Sequence, residues 1–294
     1  MVGIIYCTFV AERLLTLRNI AMSDDIIRID IPKVIKSKAP NAKVPKFLVN
    51  YVKRIVHQDE INDFFETHPG LSDFEFLEAV LNYFNVSWSV EGLENLPQDG
   101  RKYIFASNHP LGGMDGMVIA LILGRHYHGK LRVLINDLLM NLHPLRGIFV
   151  PVNKTGAQSK NNVRVVDEAY ESENHVMTFP AGACSRKQKG GVIADWEWKK
   201  NFISKSVQHQ RDIVPLYFVG QNSKFYYNMS RIRIALGIKF NIELFYLADE
   251  MFKQRNNHFT LRIGKPIPWQ TFEDKSRKPI EWAQWVKEQS YAMR

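Results

Sequence analysis

Apolar positions along this chain fall into two regimes. Between about residues 45 and 85 they recur at helical spacing. Phe47, Tyr51 and Ile55 come every fourth residue, flanked by Leu48, Val52 and Val56, and Phe74, Leu77, Leu81 and Phe84 form a second stripe. Ser72-Asp73-Phe74-Glu75 has the form of a capping box at the start of that second helix. From about residue 93 the apolar residues gather into short runs, which predict strands at Tyr103–Ala106, Leu131–Ile135, Val176–Phe179, Val214–Val219, Ile242–Leu247 and Phe259–Ile263. Helical patterns lie between them. Val163, Val166 and Tyr170 share one face. Phe225, Met229, Ile232 and Leu236 share another, with Ser223 placed to cap the start and Gly237 to end it. Runs without strict alternation imply strands covered on both faces. The expected fold is α/β: a mixed, mostly parallel sheet covered by helices on both faces, with an N-terminal helical region.

The organisation expected from this pattern has three parts. Met22-Ser23-Asp24-Asp25 offers a second start, which would make residues 1–21 either a start-site extension or a weak surface anchor. Residues 22–92, after a Lys/Pro-rich lead from Pro32 to Pro45, form a helical region packing on the main domain. Residues 93–294 form the α/β domain. No segment has the roughly 18 to 20 uncharged apolar residues of a spanning helix. The apolar stretch Val2 to Val10 lacks the basic flank of a signal peptide.

Charge narrows the partners. Among 294 residues, 45% are hydrophobic and 23% charged, with a formal net charge of +9. That composition supplies a core and favours an anionic partner. Basic residues sit beside aromatic and aliphatic ones at Lys46-Phe47, Lys53-Arg54-Ile55, Trp196-Glu197-Trp198-Lys199-Lys200 and Arg231-Ile232-Arg233. This mixing suits an anionic membrane surface, and without a recognisable nucleic-acid motif no nucleic acid is expected. Two cysteines, Cys7 and Cys184, without a CxxC or Cys/His cluster, point to a reducing compartment and no metal site.

The chemistry concentrates at Ser107-Asn108-His109-Pro110-Leu111-Gly112-Gly113-Met114-Asp115, between the strand ending at Ala106 and the apolar helix of Met117 to Leu123. A histidine and an aspartate on a glycine-rich strand-to-helix turn suit a general base held by a carboxylate. The turn's N–H groups would be placed to stabilise an oxyanion. A second cluster, Phe179-Pro180-Ala181-Gly182-Ala183-Cys184-Ser185-Arg186, ends a strand and turns at Pro180 and Gly182, and Ser185, Arg186, Lys187 and Lys189 then offer a clamp for a phosphate or carboxylate. The third piece is an extended segment from Arg146 to Lys154, and the fourth is an apolar strand broken by Pro215. Cys184 reads as a small packed thiol, His126 and His128 as solvated histidines, and Trp196 and Trp198 as packing anchors.

In order and separation these four pieces resemble the glycerolipid acyltransferase family, whose best-known members acylate lysophosphatidate. Asn108-His109 with Asp115 is similar to its His-x4-Asp motif, and Phe179-Pro180-Ala181-Gly182 with Ser185-Arg186 to its Phe-Pro-Glu-Gly-x-x-Ser block. Here five residues separate His109 from Asp115, Ala181 replaces the usual glutamate, and Arg146 or Lys154 stands in for a missing arginine. These variations resemble a bacterial hemolysin-like branch that includes ornithine- and glycine-lipid O-acyltransferases.

The resemblance implies an O-acyltransferase moving a fatty acyl group from acyl carrier protein or CoA to the free hydroxyl of a lysolipid. The acceptor stays open between a lyso-ornithine or lyso-glycine lipid and lysophosphatidate. His109 would be the base oriented by Asp115. Asn108, Gly112, Gly113, Arg146, Lys154, Gly182, Ser185 and Arg186 would bind substrate, with no cofactor. The expected location is the inner face of the cell membrane, peripherally bound. Two other readings stay open: a thioester or lipid-ester hydrolase using the same His109, and a non-catalytic basic membrane-binding module.

Overall fold

A computed structural model of the chain describes residues 28–38, 44–136, 139–140, 142–152, 160–237, 243 and 246–294. In chain order it begins with α1 (Ile31–Lys38), α2 (Lys46–Ile55), α3 (Gln58–Thr67), α4 (Asp73–Tyr83), β1 (Ser87–Glu91) and β2 (Ile104–Ser107). It continues with α5 (Met114–His126), β3 (Leu131–Asn136), β4 (Phe149–Val152), α6 (Lys160–Glu171), β5 (His175–Thr178), β6 (Arg186–Lys187) and β7 (Ile193–Ala194). The remainder is α7 (Asn201–His209), β8 (Ile213–Val219), α8 (Lys224–Ala235), α9 (Tyr246–Phe252), β9 (His258–Ile263) and α10 (Pro279–Ala292). The described residues fall into two compact units, those up to Leu71 with those of 223–253, and those of 72–222 with those of 254–294. The first division falls between Leu71 and Ser72. Helix α4 and strand β1 belong to the larger unit.

Among the described residues of the larger unit, seven strands form one sheet in the order β1-β9-β8-β2-β5-β3-β4. Every neighbouring pair is parallel except β8 and β9. The strands at the centre are buried along their length, as in β2 and β5, whereas β1 and β9 alternate. That difference is the one between a strand packed on both faces and one packed on a single face. Ile104, Ala106, Val176 and Ile213 share a core with Tyr170 of α6, Phe202 and Ile203 of α7, and Trp282 and Val286 of α10. Phe105, which points the opposite way along β2, meets the ring of Tyr127 at the end of α5. Helices therefore cover both faces, as the apolar runs imply.

Helix α5 fits closely beneath α4: a Cβ added to Gly124 would overlap the ring of Phe74. Pro151 lies in β4 at the sheet edge, where a missing N–H costs no ladder bond. Strand β8 does not break at Pro215. The strand runs on through it, and the Pro215 carbonyl accepts from the Gly264 N–H at 2.9 Å.

The predicted strand Ile242–Leu247 is not formed where it is described, because Tyr246 and Leu247 open helix α9. Nor does Ser72 close a capping box. It occupies the cap position of α4 without a side-chain hydrogen bond.

In the smaller unit, buried Gln58 and Asn62 of α3 accept the N–H groups of Ile31 and Ile29, at 2.9 and 2.7 Å, and so pin the start of α1. Val49, Val52 and Val56 pack toward Ile31, Val34 and Ile35. Phe47 and Tyr51 consequently turn outward, and Phe47 is 75% exposed. Helix α8 is capped as expected, with the Tyr226 N–H donating to Ser223 Oγ at 3.2 Å. Its predicted apolar face points outward: Tyr226, Tyr227 and Ser230 are buried, while Phe225, Ile232 and Leu236 are exposed. Residues 1–27 lie outside the described residues.

Candidate active site

The parallel strands β2, β5 and β8 end together, and the turns leaving them meet. Residues 108–113 leave β2 and enter α5, whose first turn carries Asp115. His109 Nδ1 lies 3.0 Å from Asp115 Oδ2, which also accepts the Leu111 N–H at 3.0 Å. Asp115 Oδ1 accepts the Gly116 N–H at 2.9 Å. Asp115 is fully buried and His109 is 16% exposed. Burial opposes ionisation of Asp115, but His109 and the two N–H donors outweigh it and hold the carboxyl below its ordinary value. An ionised Asp115 at Nδ1 fixes the tautomer that bears its proton there and leaves Nε2 as the basic nitrogen. Among the described residues nothing hydrogen-bonds Nε2. The imidazole also lies against the ring of Phe179, which leaves β5.

Gly112 has φ +83°, a left-handed conformation that favours glycine, and it lets the turn fold back toward α5. The N–H groups of Gly112 and Gly113 carry no hydrogen bond among the described residues, so both remain available as donors. Asn108 has a different part. Its Oδ1 accepts the Phe218 N–H at 2.7 Å and its Nδ2 donates to the Phe218 carbonyl at 3.0 Å, continuing the pairing of β2 with β8 by a side chain. Asn222 Nδ2 reaches the carbonyls of Pro110 and Leu111 from beyond the end of β8.

The second cluster is next to the first but faces inward. Gly182, at φ +65°, donates its N–H to the Phe179 carbonyl at 2.9 Å and reverses the chain. The Ser185 N–H then donates to the His109 carbonyl at 2.7 Å, joining the two turns directly. Ser185 and Arg186 are both buried, and Arg186 Nη1 donates to the carbonyls of Cys184 and Ser185 at 3.0 and 3.3 Å. Cys184 is a buried thiol. Arg146 is exposed and donates from Nε to the Met140 carbonyl at 3.0 Å. It precedes β4, at the end of the parallel strands opposite the one that carries His109. No described contact brings it to the turn. Lys154 lies outside the described residues.

One residue that the sequence did not single out sits at the centre of this arrangement. The ribbon of β6 with β7 pairs Arg186 with Ala194 and returns Asp195 opposite Ser185. Asp195 Oδ1 accepts Ser185 Oγ–H at 2.6 Å and the His109 N–H at 3.2 Å, and Oδ2 accepts Trp198 Nε1–H at 2.9 Å. Burial pushes its carboxyl above the ordinary value, against these donors. Its own N–H donates to the Tyr291 hydroxyl at 2.7 Å, and Lys287 Nζ donates to its carbonyl at 2.8 Å. Asn108, Pro110, Ser185, Tyr217, Tyr291 and Arg294 line a small recess beside the turn. Among the described residues no group of three or more His, Cys, Asp or Glu side chains is arranged to hold a metal ion.

A histidine held by a buried carboxylate, beside N–H groups without a partner among the described residues, is an arrangement that could serve attack of a hydroxyl on an acyl carbonyl. A family model for acyltransferases matches residues 33–294. The chain is 52% identical over 275 residues to the lyso-glycine lipid O-acyltransferase of Phocaeicola vulgatus, which covers 92% of this chain and 98% of that protein. It is 51% identical over 275 residues to the protein of the same name from Bacteroides thetaiotaomicron, with 92% and 100% covered. The crystal structure of the 1-acyl-sn-glycerophosphate acyltransferase PlsC from Thermotoga maritima aligns over 98% of this chain and 87% of that one, at 17% identity and a TM-score of 0.44. With a family model matched along most of its length and relatives at about half identity along nearly all of it, the chain belongs to the acyltransferase family.

Proposed function

We propose that this acyltransferase moves a fatty acyl group from a thioester, carried by acyl carrier protein or CoA, to the free hydroxyl of a lyso-glycine lipid at an anionic membrane surface. The observation that carries the reaction is the pairing of His109 Nδ1 with buried Asp115, which leaves Nε2 as the basic nitrogen. The names of the two relatives at about half identity support the acceptor.

In this reading Nε2 takes the hydroxyl proton as the oxygen attacks the thioester carbonyl. The N–H groups of Gly112 and Gly113 receive the resulting oxyanion. Collapse breaks the C–S bond, and the imidazolium returns the proton to the departing thiolate, so that one ester and one thiol are formed. The acceptor hydroxyl stands where a serine protease has its serine, so no enzyme nucleophile is required. Ser185 and Arg186 support the turn from inside. The recess bearing Tyr217, Tyr291 and Arg294 is the better candidate for the polar headgroup.

The membrane partner is supported by the smaller unit. Exposed Phe225 and Ile232 lie on α8 with Lys224 and Arg231, exposed Leu236 lies in the turn just after it, and exposed Phe47 and Tyr51 lie on α2 with Lys46 and Arg54. Apolar side chains flanked by cations suit shallow insertion among anionic headgroups. No helix among the described residues is long and apolar enough to cross a membrane. We place the protein on the inner face of the cell membrane.

Lipid mass spectrometry of cells given lyso-glycine lipid, expressing either the wild-type chain or His109→Ala, tests the reaction. Only the wild type should accumulate the diacylated product, with the variant slower by about 100- to 10,000-fold. A rise in free fatty acid without diacylated lipid would instead assign His109 to hydrolysis. Equal product from both proteins would remove His109 from the chemistry.

A further inference from the structure

The backbone of His109 is held at both its polar atoms by one short stretch of chain. Its carbonyl accepts the Ser185 N–H at 2.7 Å, and its N–H donates to Asp195 Oδ1 at 3.2 Å. The same Oδ1 receives the Ser185 hydroxyl at 2.6 Å, so a single carboxylate oxygen joins the turn bearing His109 to the turn bearing Ser185. We propose that Asp195 is a positioning residue for acyl transfer. It sets the backbone of His109 so that Nε2 meets the acceptor hydroxyl, and it holds Ser185 and Tyr291 against the recess beside that turn.

Asp195 is held from three further directions. Trp198, fully buried, donates to Oδ2 at 2.9 Å. Tyr291 and Lys287 of α10 hold its N–H and carbonyl at 2.7 and 2.8 Å. The carboxylate is thus fixed by a core tryptophan and the C-terminal helix. The imidazole is fixed separately, by Asp115 at Nδ1 and by Phe179 at its face. Asp115 therefore sets the ring's tautomer and direction, and Asp195 sets where the ring begins. A carboxylate 98% removed from solvent and raised in pKa by that burial is costly to keep as a mere loop staple, since a neutral amide or hydroxyl would serve. Each of its two oxygens is instead matched to donors, one oxygen taking two of them, and both of those donors belong to active-site turns.

The inference rests on His109 being the base, and the experiment separates the two claims. The full chain is purified as wild type, Asp195→Ala, Asp195→Asn and His109→Ala. Each is assayed with lyso-glycine lipid and either palmitoyl-CoA or palmitoyl-acyl carrier protein, whichever the wild type turns over. Activity is normalised to the folded fraction from thermal unfolding. Asp195→Ala is expected to lower kcat by about 10- to 100-fold, with both KM values within about threefold, as a small misplacement of the base does. Asp195→Asn keeps an oxygen for the His109 N–H and the Ser185 hydroxyl, and should recover kcat to within about fivefold of wild type while losing the Trp198 bond.

A kcat per folded molecule unchanged in Asp195→Ala, with only the unfolding midpoint lowered, overturns the inference and leaves Asp195 structural. The same follows if Asp195→Asn is as slow as Asp195→Ala. Should Asp195→Ala fail to fold, Asp195→Asn decides by the same measure: the inference stands on a fivefold or smaller loss of kcat and falls on a larger one. If His109→Ala itself retains wild-type kcat, the base assignment falls. If it is inactive while Asp195→Ala keeps the wild-type kcat, only the role of Asp195 falls.

Discussion

The ring of Phe179 lies along the imidazole of His109, with centroids 4.0 Å apart and planes 26° apart. The two residues leave neighbouring parallel strands, so the pairing of β2 with β5 is what stacks them. The contact leaves the imidazole little room to rotate about χ2 while Asp115 holds Nδ1. Phe179→Leu should lower kcat about 10-fold, less than removal of His109, with KM for the lysolipid nearly unchanged. Steady-state kinetics on the purified variant check it, and an unaltered kcat would show that Asp115 alone orients the ring.

Asp115→Asn presents the opposite perturbation, since it retains volume but removes the charge. An amide in this place accepts from Leu111 or from His109 through one oxygen, and its NH2 group favours the wrong imidazole tautomer. We expect kcat to fall on the order of 100- to 10,000-fold while the protein still folds. Comparison with His109→Ala is informative: the double variant should be hardly slower than either single one, because the two residues act as a unit.

His175 supplies a pH-dependent element away from the chemistry. It is buried under Tyr127, with ring centroids 3.8 Å apart, and its Nδ1 accepts the Tyr103 N–H at 3.2 Å. Burial, with nearby Arg211 and Lys102, pushes its pKa from 6.5 down to about 4. Between those values the unfolded chain binds the proton and the folded one does not, so stability must rise with pH across that window. The shift corresponds to roughly 3 kcal/mol by linkage. Urea unfolding between pH 4 and 7 should show a shallower slope for His175→Gln than for wild type. Parallel slopes would mean that this histidine is not buried in its neutral form.

The outward face of α8 makes a separate prediction about lipid. Replacing Phe225, Ile232 and Leu236 by serine removes side chains that would each contribute about 1.5 to 3 kcal/mol if fully inserted. Flotation with phosphatidylglycerol vesicles should show binding weakened by at least about tenfold, and binding of the wild type should itself fall with salt. Turnover of a short-chain acceptor dissolved without vesicles should not change. Vesicle binding equal to wild type would move the membrane contact elsewhere.

Much of this arrangement was readable from the chain alone, for a local reason. His109, the two glycines and Asp115 lie within seven consecutive residues between an apolar strand and an apolar helix, so one turn brings them together. The strands at the sheet centre announced themselves as unbroken apolar runs. Strand β1 did not. Its five residues alternate at an edge, and only pairing with β9, some 171 residues away, makes them a strand. Helix α8 shows the converse error. Spacing identified a real apolar face, but periodicity carries no sign, and the structure turns that face outward and buries Tyr226 and Tyr227 instead.

What the amino-acid sequence determined by itself was thus the α/β class, the central strands and the pairing of His109 with Asp115, because each depends on residues a few positions apart. The tertiary structure alone decided that Ser185 and Arg186 face inward, that Arg146 lies at the far end of the sheet, and that Asp195 holds His109 from 86 residues away. Those outcomes depend on which buried donors and acceptors meet once the sheet and its helices have packed. Such a meeting leaves no period or motif along the chain to be read.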